Sequence, residues 1–305
     1  MAALVETMYS TREKPWHGLG VVVKEALRLA GLDWNVVQEP IYTPFREKIE
    51  GFRANVRDSD RKVLGVVSDR YKVIQNVEAF SFTDELLGQG VRYETAGSLS
   101  GGKRVWLLAR LPREYIIAGE RISPYLVFSN THDGSGSVKV AVTPVRVVCN
   151  NTLNLALDTA QRSFSMIHTG KIADKIQEAR DTLFMAERYM DHLGGEFEAL
   201  RRQRVTDEQV REYIDLLLPM ENNPTKTQEK NVLRLRDNLT KRYCEAPDLK
   251  KVGNNAYRFI NAVSDFATHA NPLRRTANYG ENLFSRTIDG NPLIDKAYQM
   301  VKEAA

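Results

Sequence analysis

Cysteine is scarce in this 305-residue chain: Cys149 and Cys244 are the only two, and they lie far apart. Two such thiols make neither a disulfide scaffold nor a zinc cluster, and they point to a reducing, cytoplasmic setting. No apolar run approaches the roughly 20 residues needed to span a bilayer, so no membrane association is expected. The opening MAALVETMYSTREKPWHGLG lacks the basic stretch and apolar core of a secretory leader. Phosphate-loop, dinucleotide, zinc-protease and nucleophile-elbow motifs are all missing. The five histidines (17, 132, 168, 192 and 269) include no pair four apart that would hold a metal from one helix face. No cofactor is called for. With 42% hydrophobic and 27% charged residues, the composition is that of an ordinary soluble protein of one or two domains.

The densest signal runs from Tyr125 to Lys171. Tyr125–Asn130 and Val138–Val148 are rich in β-branched and aromatic residues, and Asp133-Gly134-Ser135-Gly136-Ser137 between them is a turn cluster. A helix capped by Asn150 or Asn151 is expected next, starting its apolar face with Leu153, Leu155 and Leu157. The polar connector Ser163–Lys171 follows it. Two earlier hairpins are predicted by the same reasoning: Ile49–Val56 with Lys62–Val67, and Arg92–Leu99 with Lys103–Leu111. In the latter, Val105-Trp106-Leu107-Leu108-Ala109 is almost wholly apolar, as expected of a central strand covered on both faces. A helix capped by Asn76 separates these two hairpins.

Residues 1–48 read as an N-terminal arm, with Trp16 as a packing anchor, His17 as a structural histidine, and a short helix over 26–37 broken by Pro40 and Pro44. Residues 49–171 read as an α+β domain, a twisted antiparallel sheet with helices on one side. Residues 172–305 read as a helical region. Its helices are expected over 172–193, interrupted by Gly194-Gly195, then over 207–218 behind a Thr206/Gln209 capping box, 228–243, 254–269 and 293–304.

The net charge is only +4, but it is unevenly placed. From Gly101 to Lys171 nine basic residues stand against four acidic ones, leaving the rest of the chain at −1. A patch of this kind favours an anionic partner; the plainer reading is a solvated strand face or protected sheet edge. Lys103, Arg104, Lys139, Arg146, Arg162, His168 and Lys171 are the candidate phosphate contacts, with Trp106 and Tyr125 as candidate base-stacking partners. A nucleophile–base system could only draw on Cys149 with His132 or His168, and Cys149 reads better as a small buried side chain.

The segments GGKRVWLLARLP (101–112), SNTHDGSGSVKVAVTPVRVVCNNTLNLAL (129–157), HTGKI (168–172) and NAYRFINAVSDFATH (255–269) resemble a phage- and plasmid-like protein family classed as domain of unknown function 932. PWHGLG (15–20) and YKVIQNVEAF (71–80) fit it too. The resemblance implies a setting in bacterial mobile elements and no established reaction. The order of hairpins and long helix is also similar to single-strand annealing recombinases such as RecT, Red-beta and Erf. That likeness implies an oligomer holding DNA in a basic groove, and no residue is carried over from it. The expectation is a homo-oligomeric, non-enzymatic protein that binds single-stranded DNA through its backbone and promotes annealing or recombination. The alternatives are a protein-interaction module acting through residues 172–305, and an enzyme acting on nucleic acid.

Overall fold

The computed structural model describes residues 16–17, 22–87, 90–136, 138–146, 157, 162–165, 172–273, 276, 279, 282–284, 286 and 290–304. Its architecture is α+β. Among the described residues two antiparallel sheets occupy the N-terminal half and helices fill the C-terminal half.

Strand β1 (Trp16–His17) pairs with a strand of the main sheet, and helix α1 (Val23–Leu29) follows. The helix expected over 26–37 is thus shorter and earlier. Val36–Tyr42 is instead strand β2, an edge strand with a register shift at Pro40/Ile41. An edge tolerates Pro40 because no ladder hydrogen bond is needed from its nitrogen. With β3 (Lys48–Arg57) and β4 (Val63–Ser68) it makes a three-stranded sheet of order β2-β3-β4. The first predicted hairpin is therefore present, but part of the supposed N-terminal arm belongs to its sheet.

A broken helical stretch follows: α2 (Asn76–Phe80), a 3₁₀ turn (Ser81–Thr83) and α3 (Asp84–Leu87). Gln75, not Asn76, occupies the N-cap position. The main sheet then forms from β5 (Arg92–Leu99), β6 (Arg104–Arg110), β7 (Tyr115–Ile117), β8 (Glu120–Thr131), β9 (Lys139–Arg146) and β10 (Ser163–Ser165), with β1 at one edge. Its order is β1-β5-β6-β8-β9-β10, and β7 pairs with the start of β8. Both predicted hairpins in this region are present. Strand β10 lies where a polar connector was expected, and the helix expected after Asn150 or Asn151 lies outside the described residues.

Alternation along β6 sends Val105, Leu107 and Ala109 to one face and Trp106 and Leu108 to the other. The first set joins the main core, where Leu126, Phe128, Val140 and Val142 meet the helices. The second set packs with Tyr125, Val127, Ala141, Leu283 and Phe284. The central-strand reading of β6 holds, since both of its faces are buried.

Helix α4 (Ile172–Arg202) runs unbroken through Gly194-Gly195. Each glycine costs about 1 kcal/mol of helix propensity. Burial of Tyr189, Met190, Leu193, Phe197 and Leu200 on both sides of the pair outweighs this. Further helices are α5 (Asp207–Leu217), α6 (Lys226–Glu245), α7 (Pro247–Lys250), α8 (Ala256–His269) and α9 (Pro292–Glu303). The predicted Thr206/Gln209 capping box is formed, and a second one, Thr225 with Gln228, opens α6. Helix α8 is the hub of this half, with Tyr257, Phe259, Ile260 and Val263 all fully buried. One core extends from Val23 to Val301, so sheet and helices share a single interior.

The two sheets meet through buried polar groups. Asn55 on β3 donates from Nδ2 to the His132 carbonyl at 2.7 Å. The His132 ring donates from Nε2 to Asn76 Oδ1 at 2.8 Å, and Asn76 Nδ2 donates to the Leu32 carbonyl at 2.9 Å. Tyr71 OH donates to the Thr131 carbonyl at 2.9 Å. The backbones approach so closely here that a Cβ on Gly65 would stand 2.5 Å from the Asp133 Cα. Gly65→Ala must therefore push β4 off the third hairpin, and we expect a loss of about 1–3 kcal/mol, read by urea unfolding of the full chain.

Candidate nucleic-acid interface

The turns of three hairpins come together at one end of the fold. The β5–β6 turn contains Gly101 (φ +70°) and Gly102 (φ +95°), a backbone shape that favours glycine. A Cβ on Gly101 would fall 1.9 Å from Lys62 Nζ, and one on Gly102 would fall 2.7 Å from Arg57 Nη1. Both cations come from the β3–β4 hairpin and lie directly on the bare glycine backbone. The Arg57 guanidinium also covers the Trp34 ring at 5.3 Å and forms two hydrogen bonds to Asp60, at 2.8 and 2.6 Å. That pairing holds the Asp60 carboxyl down at about 2.

Of the residues predicted from sequence, three lie at this end. Lys103 is exposed at the turn. Arg104 stands over the Phe284 ring at 5.6 Å. Lys139 is half-buried and begins β9, opposite Ser129. The carboxylates nearby are engaged: Asp60 by Arg57, Asp58 by the Asn35 amides, and Glu39 by Arg61. Asp133 sits in the third turn and accepts from the Ser135 amide. Arg57, Arg61, Lys62, Lys103, Arg104 and Lys139 therefore exceed Glu39, Asp58, Asp60 and Asp133 by two charges.

The other candidates are elsewhere. Arg146 is at the far end of β9, opposite Ile122. Arg162 is clamped to Asp295 of α9 by hydrogen bonds of 3.0 and 3.1 Å, which ties the β10 edge to the last helix. His168 and Lys171 lie outside the described residues, as does Cys149. Trp106 is 2% exposed and Tyr125 8%, each inside the second core beneath Leu283 and Phe284. Neither presents a ring face for a base to stack on. Burial, reinforced by Glu94, pushes the Tyr125 hydroxyl up to about 12.

The model of a family described as Domain of unknown function (DUF932) matches residues 63–287, well over half of the chain. The chain belongs to this family. No curated protein and no solved structure matches it. The DUF932 span takes in the Gly101-Gly102 turn, Lys103, Arg104 and Lys139, whereas Lys62 and Arg57 fall just ahead of it.

Arg57 and Lys62 were missed in the sequence because they belong to a separate hairpin, outside the basic 101–171 segment. Their only linear signal was a turn dense in charge, Arg57-Asp58-Ser59-Asp60-Arg61-Lys62. Among the described residues no three of His, Cys, Asp and Glu gather as a metal would require.

His132, the histidine proposed as a base at a hairpin tip, is fully buried. It lies edge-on to Trp34 at 5.3 Å, and its Nδ1 has no hydrogen-bond partner. Burial pushes its pKa down to about 4, against an opposing pull from Asp133. The ring is a neutral structural donor, locked by Asn76. The unfolded chain takes up this proton near pH 6.5, the folded chain only near 4. The stability held by the neutral ring is complete above pH 6.5 and is lost as the pH falls towards 4, by up to about 3 kcal/mol. Urea unfolding at about pH 7 and about pH 4 checks this: the gap between the two should shrink in His132→Gln.

Proposed function

We propose that this protein binds single-stranded nucleic acid, most simply DNA, along its sugar-phosphate backbone at the joined hairpin turns. The observation that carries the reading is the seating of Lys62 and Arg57 on Gly101-Gly102 beside exposed Lys103, with Arg104 and Lys139 at the same end of the sheet. Lysine and arginine on turns follow phosphates without reading bases, and such binding weakens steeply with salt. With Trp106 and Tyr125 buried, backbone contact and not base stacking does the holding. Strand annealing or recombination as a cytoplasmic homo-oligomer, in a phage or plasmid setting and in the manner of RecT-like proteins, is the larger role we infer for it.

A second reading is favoured by one feature. Val37, Phe52, Val63 and Val66 are exposed and, by register and alternation, share one face of the three-stranded sheet. Phe45, 87% exposed, stands at its outer turn. Apolar faces of this kind mark protein contacts. A protein-interaction module would act through this face and not through the helical half.

Fluorescence anisotropy with labelled single- and double-stranded oligonucleotides over a range of salt separates the two. We expect sequence-tolerant binding that prefers single strands. Lys62→Gln combined with Lys103→Gln should weaken it about tenfold and flatten the log–log salt slope by about 1.4, the value for two lost phosphate contacts on a single strand. Unchanged affinity in that variant would remove the hairpin-turn interface. No binding by the unmodified protein at low salt would remove the nucleic-acid reading and leave the apolar sheet face as the site to pursue.

A further inference from the structure

The helical half holds a second polar cluster, built around a carboxylate. Asp265 and His269 stand one turn apart on α8, on the same face of the helix. His269 Nδ1 donates to Asp265 Oδ1 at 2.9 Å. The other carboxylate oxygen accepts from Arg242 Nη1 on the neighbouring α6. Arg242 Nε in turn donates to Asn238 Oδ1 at 2.9 Å. Burial works to raise the Asp265 pKa, but His269 and Arg242 together outweigh it and keep the group below its ordinary value. Asp265 is thus an anion that orients an imidazole and a guanidinium. With Nδ1 engaged, Nε2 is the ring nitrogen left for a ligand.

These groups face a space. A cavity of about 310 Å³ is walled by Arg234, Asn238, Arg242, His269 and Asn271. It abuts a larger cavity of about 700 Å³, the two sharing Leu235, Phe266, Ala270, Asn271 and Pro272. The larger one has a largely apolar lining that includes Leu218, Leu283 and Leu293, with Tyr279, the amides of Asn282 and Asn291, and the side chains of Arg286 and Lys296 among it. Both volumes fall in the range of small-molecule sites, and apolar walls with a few fixed polar groups are the usual lining of one. The compartments differ in character: the small one is lined mainly by Arg234, Arg242, His269 and amides, while the large one is mostly apolar, with amide donors and acceptors and the exposed cations Arg286 and Lys296 also in its lining. A ligand matching both has an anionic end and a flat heterocycle carrying hydrogen-bonding edges.

We propose that the paired cavities bind a nucleoside phosphate. Its phosphate sits against Arg234, Arg242 and His269, and its base lies between Phe266, Leu235 and Tyr279. Free nucleotides and the 5′-phosphorylated end of a strand offer this same chemistry. The site is built from α6, α8 and the chain after α8, so it stands independently of the hairpin-turn interface.

Isothermal titration of the full chain with AMP, ATP, adenosine, inorganic phosphate and a 5′-phosphorylated oligonucleotide tests it. We expect AMP or ATP to bind and adenosine and inorganic phosphate each to bind at least about tenfold more weakly, because each fills one compartment only. Arg234 is exposed on α6, so Arg234→Gln should fold normally and weaken nucleotide binding about tenfold, the size of one charge-assisted contact. Lys62→Gln with Lys103→Gln should leave nucleotide affinity unchanged even where oligonucleotide affinity is lost. Binding of the oligonucleotide that needs both its 5′-phosphate and Arg234 would support the site with a strand end as its source. The proposal is overturned if neither nucleotide binds at millimolar concentration, or if Arg234→Gln and His269→Asn, both folded, bind them as the unmodified chain does.

Discussion

The fold depends on how two antiparallel sheets are joined: Val36 and Leu64 of the small sheet reach the shared apolar core, and a polar join beside them fixes the contact. The join is a short chain of buried amides and one neutral imidazole. Asn55 reaches the His132 carbonyl, the His132 ring reaches Asn76, and Asn76 reaches Leu32. Each group is buried, so each would cost roughly 1–3 kcal/mol if left unpaired. Because hydrogen bonds are directional where apolar contact is not, they set the register of one sheet against the other. Gly65 completes the constraint, since only a residue without a side chain lets the β4 backbone approach Asp133 this closely.

The electrostatics of the hairpin ends follow from that join. Lys62 and Arg57 belong to the small sheet, while Gly101, Gly102 and Lys103 belong to the large one. Holding the sheets in this register lays two cations on a glycine turn of the other sheet, although like charges resist being gathered. Asp60 offsets part of the repulsion by pairing with Arg57, and the Trp34 ring takes the guanidinium face. Lys62 and Lys103 remain exposed to solvent. The second face of the large sheet is settled differently. Leu283 and Phe284 cover Trp106 and Tyr125, which turns two aromatic candidates into core and leaves charge alone at the surface.

The helical half is organised by α8, which is apolar on most of its circumference. Helix α4 crosses it with Phe197 against Tyr257, 5.2 Å between ring centroids. Polar ties fasten the halves: Tyr257 OH donates to Glu120 at 3.2 Å, and the Ala118 amide donates to Glu198 at 2.9 Å. Such packing explains why Gly194-Gly195 does not break α4, because burial on either side exceeds the local propensity cost. It also explains why Asp265, His269 and Arg242 meet: α6 and α8 lie side by side, and the two acid–base residues share one face of α8.

What the sequence determined alone was whatever depends on neighbours along the chain. Alternation and turn chemistry placed the three hairpins, apolar residues at intervals of three and four placed the long helices, and Thr206 with Gln209 marked a helix start. Both apolar faces of β6 were legible for the same reason. Local signals failed where distant contacts override them, as at Gly194-Gly195 and in the stretch before Pro40, which became an edge strand once β3 was there to pair with. The site was legible only in part. Lys103, Arg104 and Lys139 stood out by charge, but their company with Arg57 and Lys62 comes from a contact between two sheets, and no linear pattern records it. Likewise, exposed and buried aromatics look alike in a strand, because alternation assigns a face but only the tertiary structure decides what covers it.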